Sequence, residues 1–155
     1  METIFKAESH LHILFGTQTG NAESVAELAE SKALEKGLST SVTELNEVTV
    51  KDFAKMQFVM IVLSTFGDGE MPDSADLFWD SLSDEKDFKL GSMCYGVLAL
   101  GDTSHEEFCN AGRLMDSKLE GSGAKKIIDR GDCDYDYEAT AEKWIEDFFV
   151  KLMRS

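Results

Sequence analysis

Phe58-Val59-Met60-Ile61-Val62-Leu63 is a run of six apolar residues with no polar interruption. A strand with one wet face alternates apolar and polar residues. A continuous run of this length therefore reads as a strand covered on both faces, the habit of parallel sheets. Working outward, the run extends to residue 64, and further short strand-like runs lie at residues 12–15, 41–45, 94–100 and 126–128. Between them, amphipathic stretches at 21–36, 50–56, 74–82, 111–120 and 138–153 read as helices. The last places Ala141, Trp144, Ile145, Phe148, Phe149 and Leu152 on one helical face, and the first does the same with Ala22, Val25, Ala26, Ala29 and Ala33. Strands alternating with helices predict right-handed crossovers and an open α/β fold. With five strands rather than six, the favoured order is 2-1-3-4-5, a three-layer fold with helices on both faces of a five-stranded parallel sheet. In that order a crevice opens between strands 1 and 3 at their C-terminal ends. Chemistry is expected in the loops after strands 1, 3 and 4.

The 155 residues fit one domain spanning 1–155, with no internal repeat, boundary or low-complexity segment. Thirty acidic residues against 15 basic ones give a formal charge of −15. Nucleic acids and anionic membranes are held mainly through Lys and Arg, so neither is expected as a partner, and a basic partner is favoured. The longest apolar run, six residues, is far short of the ~20 that a spanning helix needs. Residues 1–10 carry Glu2 and Glu8 and no apolar signal segment. Cys94, Cys109 and Cys133 are odd in number and widely spaced, which fits a reducing compartment. Together these features predict a soluble cytoplasmic monomer.

The loop after the first strand reads Gly16-Thr17-Gln18-Thr19-Gly20-Asn21-Ala22-Glu23. It joins a strand to a helix N-terminus, where backbone N–H groups and the macrodipole favour an anion. It holds no Lys or Arg, which excludes a nucleoside-triphosphate P-loop and suits one phosphate monoester held by neutral donors. The competing reading is an ordinary helix start capped by Thr19 or Asn21. The second loop reads Ser64-Thr65-Phe66-Gly67-Asp68-Gly69-Glu70. There Phe66 is placed to stack on a planar ring while the Gly67 backbone meets the ring's edge; a turn with a partly exposed aromatic is the alternative. The third reads Leu100-Gly101-Asp102-Thr103-Ser104-His105-Glu106-Glu107-Phe108-Cys109, with His105 and Phe108 as candidate ring neighbours. A lone histidine is usually a surface residue. Three such loops on neighbouring strand ends are jointly far more specific than any one.

These three motifs, in order, resemble those of flavodoxin-like FMN domains, and most of all the FMN domain of the sulfite reductase flavoprotein and other diflavin reductases. The likeness runs from about Leu11 to the helix holding Trp144. It implies FMN as cofactor and a short-chain, low-potential one-electron carrier between a reductase and a redox partner. By the same resemblance, Thr17, Gln18, Thr19, Gly20, Asn21 and Ala22 would hold the FMN phosphate. Ser64, Thr65, Phe66 and Gly67 would face one side of the flavin and its N5 edge. Leu100 through Cys109 would face the other side and the pyrimidine end: Leu100, Gly101, Asp102, Thr103, Ser104, His105, Glu106, Glu107, Phe108 and Cys109. Gly67 can take φ > 0, so its peptide can turn a carbonyl toward N5 at little cost. His105 stands where these relatives usually carry a stacked tyrosine, and Phe66 where tyrosine is also frequent.

Acidic residues concentrate in residues 66–80, 101–110 and 129–138, which hold 13 of the 30 carboxylates. In the expected fold all three segments border the flavin edge. Negative potential there would lower the potential of the reduced couple and steer a basic partner, although most charge runs serve only solubility. Other readings are an FMN domain cut from a diflavin reductase, an FMN-dependent reductase acting on a small substrate, and a receiver-like signalling module. The last lacks an acceptor Asp at the end of strand 1; Met1 and the closing helix favour a free-standing chain. His10 and His12 lack further ligands at metal spacing and read as strand-edge histidines. No catalytic cysteine is indicated for Cys94 or Cys133.

Overall fold

The computed structural model describes residues 5–6, 9–17, 20–65, 71–85, 88–101, 109–134 and 136–153. Its strands are β1 (His10–Gly16), β2 (Ser39–Glu44), β3 (Phe58–Ser64), β4 (Cys94–Leu100), β5 (Lys125–Lys126) and β6 (Gly131–Cys133). The helices are α1 (Asn21–Glu35), α2 (Val50–Phe53), α3 (Asp76–Ser83), α4 (Asn110–Gly121) and α5 (Glu138–Leu152), with a 3-10 turn at Leu45–Glu47. The sheet is parallel in the order β2-β1-β3-β4-β5, and β6 also pairs with β4.

The apolar run that decided the fold lies at the sheet's centre as β3, with residues 58–63 all buried. Its alternate residues divide between two cores. Phe58, Met60 and Val62 pack with α1 and α5, whereas Val59, Ile61 and Leu63 pack on the opposite face against α2, α3 and α4. The stripe Ala141, Trp144, Ile145, Phe148, Phe149 and Leu152 is the buried face of α5. Lys32 of α1 ties that helix to α5 through Glu146 (2.7 Å) and Glu142 (3.7 Å).

The fifth strand departs from expectation. A single strand over 126–128 is replaced by two short ones, with Ile127 and Ile128 in the bend between them. Two anchors, the buried Asp116 and the Trp144 indole, account for the break. Asp116, buried on α4, accepts a 2.6 Å hydrogen bond from the Tyr95 hydroxyl and draws in Lys126 (3.4 Å) and Arg130 (3.3 Å). Trp144 donates its indole N–H to the Asp129 carbonyl at 3.0 Å, so that carbonyl is turned away from the ladder. Pairing resumes at Gly131, where a Cβ would stand 2.5 Å from the Trp144 ring. A buried carboxylate survives only with compensating charge and hydrogen bonds, and bending this segment supplies them. Burial and Asp116 push the Tyr95 hydroxyl's pKa far above its ordinary value.

The sheet's first edge is polar. β2 begins at Ser39 rather than 41, held to β1 by Thr40 Oγ1 donating to the Leu11 carbonyl (2.9 Å) and by the His10 ring between Ser39 and Ser41. Among the described residues no helix is long and apolar enough to cross a membrane.

Candidate functional site

Register brings the three loops together. Gly16 pairs with Leu63 across β1 and β3, and Ser64 pairs with Leu100 across β3 and β4. The loops expected to carry chemistry therefore leave the sheet side by side at one rim, across the point where the chain reverses its direction of winding.

In the first loop, Thr17, Gly20, Asn21 and Ala22 are described; Gln18 and Thr19 lie outside the described residues. The helix cap is neither Thr19 nor Asn21. Gly20 occupies it, with φ 96°, and Asn21 is already the first helical residue. That backbone conformation strains any residue with a Cβ, and nothing lies within 4 Å of where one would be. A glycine cap has no side chain to spend on the first-turn N–H groups, so the cap residue leaves them as donors for an anion. Thr17 Oγ1 accepts the Gly20 N–H at 2.8 Å, which leaves the threonine's own proton to give. Thr17's N–H donates to Ser74 Oγ (2.6 Å), and the Ser74 hydroxyl donates to the Thr17 carbonyl (3.0 Å).

At the second loop, Ser64 and Thr65 are described; Phe66 and Gly67 lie outside the described residues, as do Asp68, Gly69 and Glu70. Thr65 works as a brace. Its N–H donates to the Leu100 carbonyl (3.0 Å) and its hydroxyl oxygen accepts the Ala111 N–H (3.1 Å), fastening the end of β3 to β4 and to the start of α4.

The third loop begins with Leu100, buried, and Gly101, whose N–H donates to the Cys133 carbonyl at 2.9 Å. Asp102, Thr103, Ser104, His105, Glu106, Glu107 and Phe108 lie outside the described residues. Cys109 closes the loop as the cap of α4, in a left-handed conformation with φ 56°. Its thiol is buried and aimed at the Ala99 and Cys133 carbonyls (3.5 and 3.6 Å). Burial, with Asp132 nearby, pushes the Cys109 thiol up to about 12 and that of Cys133 to about 11. Neither is a nucleophile at neutral pH.

Ser74 and Asn46 escaped the reading of the sequence, which places Gly16 only at the start of its loop. Ser74 stood in the expected third helix, but α3 starts at Asp76 and Ser74's hydroxyl goes to Thr17 instead. Asn46, after β2, steadies the same segment through the Asp73 carbonyl (2.7 Å) and the Phe78 N–H (3.0 Å). Gly16 allows that segment to approach, because a Cβ there would lie 2.6 Å from both Ala75 Cβ and Leu63 Cδ1. The one legible signal was a glycine ending a strand. His10 and His12 lie at the start of β1, remote from this rim, with rings 4.7 Å apart. Burial and His10 hold the His12 imidazole below its ordinary pKa. Among the described residues no cluster of three or more His, Cys, Asp or Glu could hold a metal.

A sheet of this order, with a glycine-capped helix start at its switch point, defines a doubly wound protein of the flavodoxin-like class, whose ligand crevice lies at that point. The chain matches the flavodoxin family over residues 13–146 and belongs to it. It is 44% identical over 147 residues to the sulfite reductase (NADPH) flavoprotein alpha-component of Vibrio parahaemolyticus, covering 95% of this chain and 24% of that one. The counterpart in Bacillus subtilis is 40% identical over 134 residues, 86% of this chain and 22% of the relative. The chain thus spans about a quarter of the length of these curated relatives. Among solved structures, the Streptococcus pneumoniae TIGR4 flavodoxin superposes with a TM-score of 0.77 at 30% identity, covering 92% of this chain and 99% of that one. A short-chain flavodoxin associated with a bacterial microcompartment gives 0.78 at 25% identity, with 93% and 99% covered. Electron transfer through a flavin cofactor is the function this family membership carries.

The described donors fit FMN. An uncharged loop of N–H groups and a hydroxyl, open at Gly20, suits the single phosphate ester of that nucleotide.

Proposed function

We propose that residues 1–155 form one FMN-binding domain that holds the cofactor without a covalent bond and passes single electrons, at low potential, between a reductase and a basic redox protein. The observation that carries this reading is the register that ends β1, β3 and β4 within one residue of each other, at Gly16, Ser64 and Leu100, so that the segments after them leave one rim. When bound, FMN supplies the one-electron chemistry; the chain binds and tunes it. Thr17, Gly20, Asn21 and Ala22, with Gln18 and Thr19 by resemblance, hold the phosphate. Ser64 through Gly67 and Leu100 through Cys109 enclose the ring, with Phe66 and His105 over its two faces. Thr65 and Cys109 contribute as fasteners of those loops, since their side chains are committed to Ala111 and to the sheet end.

Charge supports the choice of partner. Beside the anion loop, a cavity of about 400 Å3 is lined by Glu23, Glu27, Glu30, Glu44 and Glu47 around Phe15. These glutamates add to the acidic segments legible in the sequence and flank the same end of β1 and β2. A negative rim opposes adding charge to a bound flavin, which lowers its potential, and it attracts a cationic surface. Reduction of a basic protein such as cytochrome c by the photoreduced domain is expected to slow ~10-fold between 0.05 and 0.5 M salt. A rate indifferent to salt would remove the steering role.

A second reading, an FMN domain working within a longer diflavin reductase, is favoured by the 44% identity to one quarter of a sulfite reductase flavoprotein. Both readings share the same site and the same carrier chemistry, in the cytoplasm and without direct turnover of a small substrate.

Titration of the apoprotein with FMN, followed by quenching of flavin fluorescence, tests the site. Saturable 1:1 quenching and a yellow product are expected; no quenching with excess FMN would overturn the proposal.

A further inference from the structure

We infer that Ser74, outside all three loops, is a positioning residue for the phosphate loop and couples it to the segment that follows the first ring loop. The inference rests on the reading of this rim as an FMN site.

A single hydroxyl satisfies both backbone groups of Thr17: Ser74 Oγ accepts its N–H at 2.6 Å and donates to its carbonyl at 3.0 Å. With both ends of the residue held, the Thr17 side chain is aimed so that Oγ1 receives the Gly20 N–H at 2.8 Å. Gly20 in turn sets the start of α1 in its left-handed conformation, φ 96°, and accepts the Ser24 N–H at 3.0 Å. The relay thus runs from Ser74 through Thr17 and Gly20 to the N–H groups offered to an anion. No other hydroxyl among the described hydrogen bonds reaches the Thr17 backbone.

Ser74 is itself held from behind. Its carbonyl accepts the Asn46 N–H at 3.0 Å. Asn46 Nδ2 donates to the Asp73 carbonyl (2.7 Å) and to Asp76 Oδ1 (3.0 Å), and Asn46 Oδ1 accepts the Phe78 N–H (3.0 Å). A serine fixed on both sides in this way transmits position, whereas one on a loose loop would only follow its partner. A shift in the segment 71–75 therefore reaches the phosphate loop through this hydroxyl.

The consequence is specific to the phosphate. Riboflavin, which lacks it, calls only on the ring loops, whereas FMN calls on both. Fluorescence titration of apoprotein with each flavin separates the two. Ser74→Ala is expected to weaken FMN about tenfold and riboflavin by less than about twofold, so that the FMN-to-riboflavin affinity ratio falls about tenfold. Ser74→Thr, which keeps the hydroxyl, is expected to hold that ratio within about threefold of the unmodified chain. An alanine variant with unchanged FMN affinity would overturn the inference. So would equal losses for the two flavins, the mark of a merely structural role, or a ratio that stays collapsed in the threonine variant. Failure of the unmodified chain to bind FMN would instead strike the flavin site itself.

Discussion

Apoprotein carrying Gly16→Ala is expected to bind FMN ~10- to 100-fold more weakly than the unmodified chain. Gly16 ends β1 and immediately precedes Thr17. A methyl group there would lie 2.6 Å from Leu63 Cδ1, the end of a flexible side chain that can turn aside, and 2.6 Å from Ala75 Cβ, which moves only with its backbone. The strain therefore falls on the junction between Gly16 and the segment holding Ser74. Overpacking of this kind costs ~1–3 kcal/mol, and here the backbone that must yield is the cradle of the phosphate loop. Gly91→Ala is the control, since nothing lies within 4 Å of its added methyl; its FMN affinity should be unchanged. Wild-type affinity in the Gly16 variant would show that the two segments can part without moving the loop between them.

The framework of the fold was legible because its strands are buried on both faces. β3 and β4 run over 58–64 and 94–100 as read from their largely apolar sequence, since neither could expose a side without losing a core. The stripes of α1 and α5 follow for the same reason. Legibility fails where polar side chains decide the backbone. β2, Ser-Thr-Ser-Val-Thr-Glu, has one neighbour and no fully buried residue, so its start depends on the partners of Thr40 and His10. The fifth strand divides because Asp116, on the preceding helix, recruits Lys126 and Arg130. No periodicity in residues 125–133 announces a carboxylate on another helix.

At the site, the anion loop could be read from its glycine and hydroxyls because that chemistry is local: Thr17 and Gly20 bond to each other. The braces could not. Thr65 reaches 46 residues along the chain to Ala111, and Ser74 reaches 57 back to Thr17. Ser-Ala-Asp before an amphipathic stretch looks like a helix start, and only the fold reveals that the serine is occupied elsewhere. Cys109 shows the same limit: its position near the rim is evident, but its burial and left-handed backbone follow from the packing of α4 on β4.

Phe148→Ala is expected to cost the apoprotein ~3–5 kcal/mol, the range for emptying a buried aromatic site. Phe148 is fully buried on α5, with its ring 5.5 Å from Trp144 and 5.6 Å from Phe149. It covers Gly96 of β4 so closely that a Cβ there would stand 2.9 Å from its edge. In a chain of this size, that loss lowers the thermal midpoint by roughly 10 °C. The glycine makes the argument sharper. Gly96→Ala alone should destabilise by ~1–3 kcal/mol, because ring and methyl compete for one space. In the Phe148→Ala background the same methyl enters the void, so its cost should vanish or reverse, giving a coupling of ~1–3 kcal/mol. Thermal or urea unfolding of the four apoproteins measures it, without the added stability that a bound ligand would confer. Additive losses would mean that the Trp144 ring, 3.2 Å from the same Cβ position, takes up the vacated space. The sheet would then be held to α5 by the indole rather than by the phenyl ring.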